Sequence, residues 1–281
     1  MNGTKRILIY RRGALGDTLF LYPLFETLKR KGFYVVVAGN TDYLQLARKL
    51  NWIDEAYTEL FPEVVERPYF RKLLFTKGSL PPFPQKRQWI VEHYFQVSGI
   101  EPKFSEELPL EPAKKSPLKG KFVLHPGSGS PKKNPPLELF LKIEVFLKEK
   151  GYSVVYFEGI ADTWLEGKVK PIFKCEDISE LATHLKAALG FIGNDSGISQ
   201  LAAYLGIPSF LFFGPTDPVV WRPLGKNWQI LYSALPCSPC FPKTCQKRPC
   251  LNPEILFPLF THAFKEKKPC RIVVPMSGEN E

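Results

Sequence analysis

Apolar residues are distributed along this chain in two alternating rhythms. KRILIY, FYVVVAG, KFVLHPG, YSVVYFEG, GFIGND and IPSFLFFGP are short, nearly solid apolar runs, the pattern of strands buried on both faces. Between them lie stretches with helical spacing. In TLFLYPLFETLKRKG, Leu21, Leu24, Phe25 and Leu28 recur at that spacing and Gly32 can stop the helix. Pro23 inside this pattern either kinks the helix or lies near its first turn. TDYLQLARKL begins at a Thr cap, and PPLELFLKIEVFLKEKG is opened by prolines and closed by glycine. DISELATHLKAAL and SGISQLAAYLG complete the series. Strand followed by helix, repeated, predicts parallel sheets covered on both faces and an α/β chain.

The rhythm breaks once. EPKFSEELPLEPAKKSPLKG, residues 101–120, is rich in Pro, Lys and Glu and reads as a linker. Two domains follow, 1–115 including the linker and 116–281, in keeping with the length of 281 residues. Open α/β sheets bind ligands beyond the carboxyl ends of their strands, so two such domains facing each other are expected to form a cleft there. No apolar run approaches the roughly 18 residues that span a bilayer. The N-terminus begins directly with a strand-like RILIY and no cleavage signal, so a soluble, cytosolic protein is expected.

Chemistry is concentrated at four strand ends: Gly13 to Asp17, His125 to Lys133, Gly193 to Gly197 and Gly214 to Asp217. Asp195, Ser196 and Gly197 open a helix, where free N–H groups and the dipole favour an anion; an ordinary cap is the plainer reading. HPGSGSPKK sets glycines and hydroxyls after a strand and follows them with Lys132 and Lys133. Such a loop can cradle a diphosphate, or it can be a plain Gly/Ser turn, and it lacks the P-loop pattern. GxSxG and HExxH are absent, and the four histidines are scattered. Together these ends imply a site for a phosphate-bearing ligand.

These motifs are also the ones that carry a family resemblance. RRGALGDTLFLYPLFETLKR resembles the opening of glycosyltransferase family nine, the lipopolysaccharide heptosyltransferases. HPGSGSPKKNPPLELF resembles the start of that family's second domain, and GNDSGISQLAAYLGIPSFLFFGPTDPVVWRPLG its long signature. The resemblance implies a GT-B fold of two Rossmann-like domains with parallel sheets facing across a cleft. It implies inverting transfer of heptose from ADP-heptose to the inner core of lipopolysaccharide, with no cofactor required for catalysis. Asp17 then falls at the general base, with Gly16 leaving room for the acceptor. Lys133 falls beside the leaving diphosphate, and Gly127, Ser128, Ser130, Lys132, Glu158, Asp195, Ser196, Gly197 and Gln200 fall on the donor side. Two positions depart from the pattern: Gln200 stands where the family usually has His, and Pro135 where it favours Trp. Another nucleotide sugar, or a nucleotide-sugar-binding protein without turnover, are the alternatives.

The net charge of +10 admits anionic partners or simple solubilising charge. Residues 61–90 interleave basic and aromatic side chains, and Arg67, Arg71 and Lys72 are assigned there to acceptor binding. Such a surface suits a phosphorylated lipid-linked acceptor, with the protein peripheral on the inner face of the cytoplasmic membrane. The same pattern suits single-stranded nucleic acid, which the donor-site signature argues against, or a plain solvated face over a small core. In CSPCFPKTCQKRPC, Cys237, Cys240, Cys245 and Cys250 have compact spacing. A structural zinc or iron–sulfur cluster, disulfides and free thiols all remain open for them.

Overall fold

The computed structural model describes residues 5–240 and 245–275. The chain divides into two compact units, one running through residue 109 and taking in 177–179, the other holding 110–176 and the residues from 180 on.

In the first unit, β1 (Arg6–Arg11) is followed by two short helices, α1 (Leu15–Leu19) and α2 (Tyr22–Arg30). The single helical pattern of the sequence is thus divided at Phe20 and Leu21, and Pro23 lies in the first turn of α2, where its missing N–H costs nothing. β2 (Tyr34–Gly39), α3 (Thr41–Lys49), β3 (Glu55–Tyr57), α4 (Pro62–Val65), β4 (Arg71–Leu74) and α5 (Ile90–Ser98) follow. The four strands form one parallel sheet in the order β3-β2-β1-β4. Ile7, Leu8 and Ile9 of β1 and Val35, Val36 and Val37 of β2 are all buried. Both faces are therefore covered, as continuous apolar strands require.

The Pro-rich stretch after α5 is not a loose connection over its first half. Buried Glu26 of α2 accepts from the Ser105 N–H at 2.8 Å and its hydroxyl at 2.7 Å, and the Lys103 N–H donates to Thr27 Oγ1 at 3.1 Å. Phe104 stacks on Phe95, and Leu108 is buried. A buried carboxylate satisfied by its neighbours holds a segment that composition alone marks as a linker.

The second unit contains β5 (Lys121–His125), α6 (Leu137–Glu149), β6 (Ser153–Phe157), β7 (Ile172–Phe173), α7 (Ile178–Lys186) and β8 (Gly190–Asn194). It continues through α8 (Gly197–Tyr204), β9 (Ser209–Phe213), β10 (Trp228–Tyr232), α9 (Pro253–Glu266) and β11 (Arg271–Val273). Its seven parallel strands run β11-β10-β9-β8-β5-β6-β7. From β5 the chain moves one way to β6 and β7. It then returns to the other side for β8 to β11, so the strand order reverses between β5 and β8. α6 and α9 cover one face. Phe260 of α9 sits fully buried, its ring within 5.7 Å of Phe146 and 5.4 Å of Phe210, a burial that stabilises by roughly 1.5–3 kcal/mol.

Candidate active site

In the first unit the carboxyl end of β1 runs through Gly13 into α1. Ala14 is extended, so its N–H is not consumed by the helix, and it donates to Asp17 Oδ2 at 3.0 Å. This is the acidic half of a capping box; Ala14 has no acceptor to supply the other half. Asp17 Oδ1 accepts from Arg11 Nη2 at 3.0 Å. Arg11 also donates to the Arg12 carbonyl at 3.0 Å, and its guanidinium lies 4.9 Å over the Phe83 ring. Its Nε points to the Tyr94 hydroxyl at 3.5 Å. Burial pushes that phenol up to about 12, so Tyr94 stays neutral and takes the guanidinium N–H. Each oxygen of Asp17 thus has a fixed donor, yet the side chain remains 22% exposed. A Cβ on Gly13 would stand 2.6 Å from the Asp17 Cβ and 2.8 Å from Oδ2, so the glycine makes room for the carboxylate. Gly16, next to Asp17 in α1, is half-buried.

The assigned acceptor residues are not gathered with Asp17. Arg71 and Lys72 begin β4, opposite Ile7 and Leu8 near the start of β1. Arg67 is paired with Glu55 at 2.8 Å, where β3 begins, and stacks on Tyr57. Hydrogen bonds from Tyr57, Arg67 and Tyr34 outweigh burial and hold the Glu55 carboxyl below the usual range. All three basic residues therefore lie at the amino ends of strands, the end opposite Asp17. Composition identifies a basic stretch but not the end of the sheet it decorates. Of that stretch, Phe83 is the member shown beside Arg11.

In the second unit the glycine-rich loops after β5 and β8 flank the point where strand order reverses, the place where open α/β sheets take ligands. Asn194 ties them together: its amide donates to the Pro126 carbonyl at 2.6 Å and the Gly127 carbonyl at 3.2 Å. Ser128 Oγ lies 2.5 Å from Asn134 Oδ1 and 2.8 Å from the Ser130 carbonyl, which holds the loop in a tight turn. Lys132 and Lys133 stand on the short turn that follows (Pro131–Lys133), and Lys133 Nζ reaches Asp195 Oδ2 at 3.2 Å. Arg248 donates to the carbonyls of Pro131 at 2.5 Å and Asn134 at 3.0 Å, fastening the same turn from outside.

Ser196 caps α8, accepting from the Ser199 N–H at 3.2 Å, and Gly197 is the first helical residue. Capping accounts for the serine hydroxyl, while the first N–H groups of the helix have no intrahelical acceptor. Gln200 donates through Nε2 to the Trp221 carbonyl at 3.1 Å, which fixes the amide with its oxygen turned away. That oxygen and the Thr216 hydroxyl are buried without a hydrogen-bond partner. Glu158 follows β6 and forms an ion pair with Lys174 at 2.6 Å, and its Oε2 is likewise buried without a partner. No contact joins Glu158 to Lys133 or Asp195 among those described.

Beneath this loop His125 Nε2 and Asp162 Oδ2 are 2.9 Å apart, both buried. A Cβ on Gly127 would fall 1.8 Å from Asp162 Oδ1, whereas one on Gly129 would meet nothing within 4 Å. Gly127→Ala is therefore expected to expel the Asp162 carboxyl and orphan His125, costing about 1–3 kcal/mol. Gly129→Ala should leave the denaturant midpoint unchanged. Equal midpoints for the two variants would refute the steric account.

The cysteine cluster packs on the loop after β9, where the Cys240 N–H donates to the Pro215 carbonyl at 2.9 Å. Cys237 and Cys240 are exposed, Cys245 is half-buried and Cys250 is buried. Burial pushes the Cys250 thiol up, and its neighbours Cys240 and Cys237 add to the rise against a hydrogen bond from Ser238. Residues 241–244 lie outside the described part. Among the described residues no three His, Cys, Asp or Glu side chains converge as a metal-binding group, and no disulfide is formed. Cys237 and Cys240 nonetheless lie near enough to Cys250 to act on its thiol. No helix of the described residues is long and apolar enough to cross a membrane.

Against known proteins, the model for glycosyltransferase family 9 (heptosyltransferase) matches residues 89–251, more than half of the chain. The chain belongs to this family. A stretch of 82 residues is 35% identical to lipopolysaccharide heptosyltransferase 1 of Pseudomonas aeruginosa, spanning 29% of this chain and 23% of that protein. The match thus spans about a quarter of the length of the curated relative. Two solved structures share the fold. ADP-heptose LPS heptosyltransferase II of E. coli covers 94% of this chain and is itself 99% covered, at 16% identity and a TM-score of 0.69. The iron-containing dodecameric glycosyltransferase TibC of enterotoxigenic E. coli covers 93% and is 78% covered, at 17% identity and a TM-score of 0.73. The two parallel sheets of this family 9 chain agree with the GT-B-like architecture of those structures.

Proposed function

We propose that this family 9 chain is an inverting glycosyltransferase that moves heptose from ADP-heptose to a lipid-linked acceptor, the inner core of lipopolysaccharide. The observation that carries the reading is the approach of Lys133 to Asp195 where the strand order reverses, beside the open first turn of α8. A cation and free N–H groups at that point suit a diphosphate. TibC, a relative in fold, has been solved in complex with ADP-D-β-D-heptose.

In the proposed step an acceptor hydroxyl oxygen attacks the anomeric carbon from the face opposite the leaving group. The bond from that carbon to the diphosphate oxygen breaks, and ADP departs with the electron pair. Asp17 takes the hydroxyl proton, because a sugar hydroxyl is too weak an acid to ionise unaided. A single displacement inverts the configuration. Lys133 and the N–H groups at Ser196 and Gly197 stabilise the charge that grows on the diphosphate. The first unit thereby supplies the base and the second the donor site, and the lipid anchor of the acceptor brings the chain to the inner face of the cytoplasmic membrane.

Gln200 favours a second reading of the sugar. With one N–H of Nε2 committed to the Trp221 carbonyl and Oε1 without a partner, the amide offers an acceptor that a ligand hydroxyl would satisfy, and unlike the histidine usual in the family it carries no charge to set against a phosphate. A donor sugar other than heptose is therefore the variant of this proposal. The test is ADP release from ADP-heptose with a Kdo–lipid A acceptor. Acceptor-dependent release is expected. Tight ADP binding without release from ADP-heptose, but with release from another ADP-sugar, would select the second reading. Binding without release from any of them would make the chain a nucleotide-sugar-binding protein.

A further inference from the structure

Far from the glycine-rich loops, at the amino ends of β5, β8, β9 and β10, the second unit holds a cavity of about 330 Å³. Phe122 of β5, Phe210 of β9, Phe264 of α9 and Tyr152 of the turn after α6 form its walls. The rings fix one another: Phe122 meets Tyr152 edge-on at 5.1 Å, and Phe264 lies within 5.9 Å of Phe122, Tyr152 and Phe210. Phe122 is held over Gly190, where a Cβ would approach its ring to 2.4 Å. The box is therefore built by packing and does not depend on a mobile loop. At its mouth stand Leu189, 42% exposed, and the exposed Lys267, at which α9 ends in a left-handed turn. No acidic side chain is among the lining residues.

We propose that this cavity binds the hydrocarbon chain of an anionic amphiphile, a fatty-acyl chain whose acidic head is set against Lys267. The volume falls within the range of small-molecule sites. The polar side chains of the lining, Ser209, Asn227 and Gln229, are bonded to the Ile207, Gly206 and Ala263 carbonyls, so the aromatic walls offer few partners to the hydroxyls of a sugar or nucleotide, which would be costly to bury there, and reward apolar area instead. A cation at the mouth without an opposing acid selects the sign of the head group. The cavity lies at the opposite end of the strands from Ser128 and Ser196, so its occupation is independent of the transferase reading.

Calorimetric titration of the full chain with decanoate, decanol and decyltrimethylammonium tests the proposal. Decanoate is expected to bind at least tenfold more tightly than decanol, and the cationic amphiphile not at all. Lys267→Glu should reverse that order. Leu189→Trp, which places a ring across the mouth, should weaken decanoate at least tenfold. Both positions are exposed, so the melting temperature and ADP affinity should not change. Sedimentation with phosphatidylglycerol vesicles separates the sources: binding that decanoate displaces identifies a bilayer lipid, and decanoate binding without vesicle association identifies a free acid. Absent or non-saturable decanoate binding, or equal binding by wild type and both variants, would overturn the proposal whether or not the chain releases ADP.

Discussion

Asp17→Asn is expected to lower acceptor-dependent ADP release by about 10²–10⁴-fold, the usual contribution of a positioned general base. The substitution keeps the shape of the side chain and an oxygen for either the Ala14 N–H or Arg11, so the turn after β1 should survive. It removes the ability to take a proton, together with the charge that Arg11 pairs with. ADP affinity should be unchanged, because the donor loops belong to the other unit. Arg11→Lys adds a finer test. Lysine keeps the charge but cannot serve Asp17, the Arg12 carbonyl and the Phe83 ring together. Turnover should fall by about tenfold with ADP affinity intact, the effect of a residue that aims the base and does not replace it. Asp17→Asn turning over within a few-fold of wild type would remove Asp17 from the chemistry and leave it a capping residue.

Much of the fold is legible because parallel strands buried on both faces leave solid apolar runs that need no context. The short strands are not. β4 opens with Arg71 and Lys72, and β7 is the dipeptide Ile172–Phe173; each exists because a longer neighbour offers it a ladder, which no local pattern records. The site divides in the same way. Gly127, Asp195 and Ser196 announce themselves by glycine, hydroxyl and acid after a strand. The bonds that organise them join distant positions: Asn194 to Pro126, Arg248 to Pro131, His125 to Asp162. Asn194 and Arg248 carry no motif of their own, so neither is marked as a site residue by its surroundings in the chain. Arg67, Arg71 and Lys72 show the converse, since charge density reveals a basic surface without revealing which end of the strands it occupies. Arg11 was within reach: a basic residue closing the strand before an acid at the next helix start is positioned to pair with it.

Lys133→Met should reduce turnover by about 10²–10³-fold, comparable to the loss of one preorganised donor to developing charge. The kinetic form of the loss distinguishes two roles. ADP-heptose already carries a charged diphosphate before reaction, so a lysine that merely holds it would raise KM and leave kcat alone. A lysine that follows the charge appearing on the bridging oxygen as the bond breaks would lower kcat. In the described structure Lys133 is partnered by Asp195 at 3.2 Å, with 19% and 11% of the two side chains exposed. On the proposed reading, that pairing would hold the ammonium in place before the donor arrives and limit how far it must move to meet the diphosphate. Asp195→Asn should therefore lower kcat by less than Lys133→Met, and the double variant should be little worse than Lys133→Met alone, because the acid acts through the lysine. Additive losses in the double variant would mean that Asp195 touches the sugar on its own account. A change in KM alone for Lys133→Met would restrict the lysine to binding the donor.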